Sequence, residues 1–244
     1  MSKRLKFFFC HLLLSILIAL LVIGLVFFIW YPSPLAQAVG VTDIFLMVLA
    51  IDVIIGPMLG LLVYKEGKKS LKMDLTVIIS LQIAALFYGI YSIEQGRPVW
   101  LVYNVDRFEL VSKNGVLTDN LSDALPEFQR IPWLKPQLVG VKIDQDVNTR
   151  NRDIFAEVLS GISIAQKPER YVPLIEVKHQ IQQRAQDMKL LEQFNDQQSV
   201  QKILAKYPQA DAFVPLKSTA VDMTVLINKE KGEVVKIVDL RPWK

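Results

Sequence analysis

The chain has 244 residues, 52% of them hydrophobic and 21% charged, with 28 Lys and Arg against 24 Asp and Glu for a formal net charge of +4. That charge divides evenly about residue 96, so no basic patch points to nucleic acid. One cysteine cannot pair within the chain, and two histidines beside it make a poor ligand set, which excludes a disulfide scaffold and a zinc finger.

Phe7–Trp30 is an almost unbroken run of Leu, Ile, Val and Phe. Its length, roughly 36 Å as a helix, suffices for a hydrocarbon core of about 30 Å. Lys3, Arg4 and Lys6 precede the run and Ala36-Gln37-Ala38 follows it, the layout of a signal peptide. The run is too long for a signal h-region of about 7–15 residues, so it reads as an uncleaved span. Further spans are expected at 44–64 and 75–93, giving a membrane domain over residues 1–96. The first connecting loop, Tyr31–Thr42, has no Lys or Arg, whereas Lys65–Asp74 carries Lys65, Lys68, Lys69 and Lys72. By the positive-inside rule the N-terminus and the second loop are cytoplasmic, and residues 97–244 are exported, to the periplasm in a bacterium. Trp30, Tyr31, Tyr88, Tyr91 and Trp100 are expected in the outer aromatic belt, with Tyr64 at the inner face.

Polar groups inside spans are costly, and each needs a reason. His11 reads as an interfacial residue, and Asp43, beside Thr42, as a cap of the second helix. Asp52 lies about 13 Å deeper, near the midplane. Gly56 and Gly60 follow it at i+4 and i+8 on one face, and Pro57 frees a backbone carbonyl near Val53. Three readings of this face stay open. It is a docking groove for a partner's transmembrane helix, built by Asp52, Gly56, Pro57 and Gly60. It packs against the first and third spans of the same chain, with Asp52 protonated or paired to Gln82. Or Asp52 is a proton site. Three spans with one buried acid are too few for an ordinary transporter.

The exported half reads as a small α+β domain without repeats. Val99–Asn104 and Phe108–Ser112 predict strands about an Asp106-Arg107 turn, and Asn114-Gly115 predicts a further turn. Prolines 126, 132 and 136 mark a loop before a strand over Leu138–Ile143. Asn148–Leu159 predicts a helix capped by Asn148 or Thr149, with Ile154, Phe155, Val158 and Leu159 on one face. Amphipathic helices are expected over about Ile175–Phe194 and Gln198–Tyr207, then a hairpin of Ala220–Ile227 and Glu233–Leu240 about Gly232. No catalytic constellation emerges. His179 reads as a surface residue, and without a second exported His or any exported Cys neither a Ser-His-acid triad nor a Cys-His pair has members. Asp144-Gln145-Asp146-Val147-Asn148 opens like a calcium loop, but Thr149 stands at the glycine position and Phe155 at the bidentate glutamate position. It reads as a polar turn into a helix cap. No catalytic residue, cofactor or metal ligand is expected.

The run Asp52-Val-Ile-Ile-Gly56-Pro57, with its sequel Lys68-Lys69-Ser70-Leu71-Lys72-Met73-Asp74-Leu75, resembles the type IV pilin accessory protein family. The likeness continues through Gln82, Tyr88-Gly89, Arg97-Pro98-Val99 and Asp106-Arg107-Phe108-Glu109. It returns at Asp222-Met223 and Val238-Asp239-Leu240-Arg241-Pro242-Trp243. The resemblance implies an inner-membrane helper of a cognate major type IV pilin, in contact with the pilin, with membrane lipid and with the pilus assembly machinery. The residues themselves suit a non-enzymatic protein, and with the pilin that the resemblance implies we expect it to hold that pilin's helix and head. The competing class is a membrane-anchored periplasmic ligand sensor or envelope regulator.

Overall fold

A computed structural model describes residues 1–142 and 146–244. The chain divides into two compact units, residues 1–36 with 40–96, and residues 37–39 with 97–244. Three helices in the first unit are long and apolar enough to cross a membrane, spanning Lys3–Trp30, Val41–Val63 and Leu71–Gly96. The chain is a multi-pass membrane protein.

The first helix, α1 (Lys3–Leu25), starts on the Ser2 hydroxyl, which accepts from the Leu5 N–H, and runs on as a wider turn to Trp30. A short α2 (Leu35–Ala38) follows, then α3 (Val41–Val63) and α4 (Leu71–Gly96). The expected Asp43 cap gives way to Gly40, whose left-handed φ of 72° suits glycine. Asp43 lies instead in the first turn of α3, where the helix dipole favours an anion. At the opposite end of α3, Arg4 donates from Nε to the Leu61 carbonyl at 2.7 Å, satisfying one of the helix's terminal acceptors. The lysine-rich loop then enters α4 through Asp74, which accepts from Ser70 Oγ at 3.0 Å and pairs with Lys68 at 2.6 Å. These contacts gather the basic residues at one end of the bundle. α3 is the central helix, packed against both α1 and α4.

The second unit is built on one mixed sheet. Its strands are β1 (Pro98–Asn104), β2 (Arg107–Ser112), β3 (Gln137–Val141), β4 (Tyr171–Pro173), β5 (Gln186–Asp187), β6 (Ala212–Lys217), β7 (Met223–Asn228) and β8 (Glu233–Val238). They lie in the order β4-β3-β1-β2-β6-β7-β8, with β5 on β6; β1 runs parallel to β3 and β2 parallel to β6. Every residue of β1 is buried, as a central strand covered on both faces requires. The helices are α5 (Val147–Ser160), α6 (Lys178–Arg184) and α7 (Gln197–Leu204).

Three expectations are corrected here. Trp100 is not in an aromatic belt: it is fully buried in the sheet core, edge-on to Phe128 and Tyr171 with ring centroids 5.7 and 5.4 Å away. The long helix over Ile175–Phe194 is broken. α6 ends at Arg184, β5 pairs with Phe213 and Ala212 of β6, and a 3-10 segment covers Met188–Gln193. Asp187 explains the break, because its carboxylate accepts from the Lys189 N–H at 2.8 Å and offers the backbone an alternative to the helix ladder. Third, α5 begins one residue before the expected caps. Residues 143–145, which hold the end of the predicted strand and most of the start of the calcium-like run, lie outside the described residues.

The loop between the first two spans also adds to the second unit in a way no local pattern announces. The Ala38 carbonyl accepts from the Ala220 and Val221 N–H groups, each at 3.0 Å, and from Ser218 Oγ at 2.7 Å.

Candidate functional site

The polar residues of the membrane unit converge on Gln82. Its Nε2 donates to the Asp52 carbonyl at 2.9 Å and to Ser15 Oγ at 3.2 Å, and its Oε1 lies 2.9 Å from His11 Nε2. One amide therefore ties all three spans together at mid-depth. His11, expected at an interface, is instead a member of this interior cluster, and Phe7 lies edge-on to its ring at 5.7 Å. The signal was present in the sequence: His11 and Ser15 are polar residues four apart in an otherwise apolar span, hence on one face.

Gly56 and Gly60 are buried by this cluster and not open to a partner. A Cβ at Gly56 would lie 2.1 Å from Gln82 Oε1, and one at Gly60 would lie 2.9 Å from a Phe7 ring carbon. Pro57 is buried beside them. Of the three readings of this face, packing against the chain's own first and third spans describes its geometry. Gln82 grips the backbone of Asp52, not its carboxylate.

The Asp52 carboxylate makes no hydrogen bond among the described residues. It lies where two cavities meet. One, of about 210 Å³, is walled by Val22 of α1, Phe45 and Leu49 of α3, and Gly89 and Ile93 of α4. The other, of about 130 Å³, lies between Leu14 and Ile18 of α1 and Ile79 and Ile83 of α4. Asp52 and Leu86 line both. Together they form a groove floored by α3 and flanked by α1 and α4. It spans Ile79 to Ile93, roughly 21 Å along the helix axis. The groove is apolar apart from Asp52 and the Gln82 cluster.

In the second unit, the stretches that carry the resemblance assemble two polar clusters. In the first, Glu109 is buried, accepting from Asn104 Nδ2 at 2.9 Å and from Ser163 Oγ at 2.8 Å, with Arg107 Nε at 3.6 Å. Beside it Tyr103 donates to the Val105 carbonyl at 3.0 Å, and burial, helped by the Asp106 charge, pushes its phenol up to about 12. In the second, Asp222 accepts from Trp243 Nε1 at 2.7 Å and from the Ser218 N–H at 2.8 Å, while Arg241 donates to the Asp222 carbonyl and pairs with Asp239. Burial pulls the Arg241 guanidinium below its ordinary value, opposed by Asp222. Asn195 holds the Arg241 backbone from both sides, at 2.7 and 2.9 Å. These are structural latches: their polar atoms face one another. Among the described residues no group of three or more His, Cys, Asp or Glu side chains is arranged to hold a metal ion.

Residues 1–40 match the family described as Fimbrial assembly protein FimB. The fimbrial assembly protein of serogroups C1 and C2 of Dichelobacter nodosus is 38% identical over 116 residues, covering 47% of this chain and 88% of that protein. The chain belongs to the fimbrial assembly protein family. The serogroup I and serogroup E1 proteins of the same organism are 36% and 35% identical over 164 residues, 66% of this chain. The chain matches 63% of the length of each. No solved structure matches it. This membership agrees with the resemblance to type IV pilin accessory proteins carried by the Asp52–Leu75 block.

Proposed function

We propose that the protein is a non-enzymatic assembly factor of the bacterial inner membrane, with its N-terminus in the cytoplasm and residues 97–244 in the periplasm. It assists assembly of a cognate type IV pilin by receiving the pilin's membrane helix in the groove between α1 and α4 while the exported unit engages the pilin head. The proposal rests on kinship with fimbrial assembly proteins, and one observation carries its mechanism: an apolar groove of roughly 21 Å, about two thirds of the hydrocarbon thickness, with a carboxylate at mid-depth that makes no hydrogen bond among the described residues. In hydrocarbon such a carboxylate is costly, and a helix bringing a hydrogen-bond donor to it gains affinity and register together. Asp52 is thus the contact residue, while Gly56, Pro57, Gly60 and Gln82 hold the groove's shape.

The test is Asp52→Leu in the source bacterium, with sheared surface pilin measured against total cellular pilin. Surface pilin should fall while the total and the level of the variant itself are kept. If surface pilin is unchanged, the groove is not where the pilin binds. If total and surface pilin fall together, the protein protects the subunit from degradation. The sensor reading draws on one feature, a cleft of about 360 Å³ bordered by Asn104, Arg107, Arg150, Asp153 and Glu157. It predicts that Arg150→Ala, and not Asp52→Leu, changes the phenotype.

A further inference from the structure

α5 is an amphipathic helix held inside out. Its charged side faces the domain: Asp153, little exposed, pairs with Lys167 at 2.7 Å and with Arg170 at 2.6 Å. Its apolar side faces outward, with Ile154 53%, Phe155 63%, Val158 75% and Leu159 79% exposed. The two ion pairs fix the roll of the helix, so this face is not a stripe that has failed to find its own core. Four large apolar side chains in one patch on a helix need an apolar neighbour.

We infer that this face of α5 lies in the surface of the lipid bilayer as an in-plane anchor of the exported unit. Three features favour lipid over another protein. The chain supplies the bilayer itself, since β1 starts two residues after the third span ends, at Pro98 following Gly96. That connection keeps the unit at a high effective concentration of membrane. The stripe is flanked on one side by Arg150 and on the other by Arg152, both exposed, which suits anionic headgroups over an acyl-chain boundary. And from Ile154 to the end of the helix this face offers no hydrogen-bonding group, Asn151 lying on it one turn earlier, whereas protein interfaces mix apolar anchors with polar ones. Bilayer binding at α5 is independent of the groove.

The test uses the full chain in vesicles of phosphatidylethanolamine and phosphatidylglycerol. In a Cys10→Ser background, Phe155→Cys, Val158→Cys and, in the exposed turn after β7, Glu230→Cys are each labelled with an environment-sensitive fluorophore. Labels at 155 and 158 should be quenched by nitroxide-bearing lipid and shielded severalfold from aqueous iodide, and the label at 230 should show the reverse. Equal iodide quenching at 155 and 230 would overturn the inference, as the face would then be in water. So would shielding from iodide without quenching by nitroxide lipid, which means a second copy covers the stripe. Shielding that appears only when pilin is added would likewise overturn it in favour of the pilin head.

Discussion

The two halves of the molecule solve opposite burial problems. In the unit of residues 97–244 the apolar side chains are the scarce resource, and the sheet gathers Trp100, Phe108, Phe213 and Leu226 out of water around a fully buried β1. In the membrane unit apolar side chains face lipid freely, and the interior is marked by what lipid cannot satisfy: His11, Ser15, Gln82 and the Asp52 backbone meet there over Gly56. Large hydrophobes therefore make the core in one half, while in the other Tyr31, Phe45 and Leu49 share the interior with the small and polar residues that distinguish it from the lipid-facing side. Two features stand apart from this division, a carboxylate without a hydrogen bond among the described residues of the bundle and an exposed apolar stripe on α5.

Substitutions should respond accordingly. Trp100→Ala empties the centre of the sheet core and should cost about 3–5 kcal/mol, read as a fall in the thermal midpoint of the second unit in detergent solution. Trp133→Ala, at an exposed position, should change it by less than about 0.5 kcal/mol. In the bundle the damage comes from adding atoms: Gly56→Ala drives a methyl into Gln82 and should cost about 1–3 kcal/mol. Removing the clasp with Gln82→Leu should cost less, about 0.6–1.7 kcal/mol, because interhelical hydrogen bonds in membranes are individually modest. If Gln82→Leu proved worse than Gly56→Ala, hydrogen bonding and not close approach would organise the bundle.

A further effect is one of pH. The Tyr103 phenol is protonated more tightly in the folded unit, up to about 12 from an ordinary 10.0, so the stability it adds is complete below pH 10 and is lost as pH rises towards 12. Alkaline titration of near-ultraviolet circular dichroism should show the second unit weakening over that window, less steeply in Tyr103→Phe. The buried Tyr171, whose phenol is also pushed up by burial, supplies the remaining slope.

Much of this was legible in the sequence, for physical reasons. The spans are long apolar runs and the last hairpin is marked by Gly232 with φ of 61°, while the β1–β2 turn falls at Val105-Asp106, one residue before the expected Asp106-Arg107, because Arg107 pairs with Asn104. What misled was local pattern read without its tertiary partner. Trp100 follows a span as a belt residue would, yet its strand is central, and the helical stripe after Ile175 breaks because β6 offers Gln186 and Asp187 a partner. At the candidate site, Asp52 and the small residues stood out at once as atypical of a span. The side of α3 left open did not, because it depends on how α1 and α4 flank it, which no spacing within α3 encodes.

The central claim is that the groove between α1 and α4 receives the pilin helix. The most direct measurement is photocrosslinking in the native membrane from a benzophenone amino acid at Leu86, which lines both parts of the groove, beside the same probe at Leu81 on the lipid-facing side of α4. The account predicts a pilin adduct from position 86 that is lost in Asp52→Leu, and none from position 81. Equal adducts from both positions, or an adduct from 86 indifferent to Asp52, would contradict it.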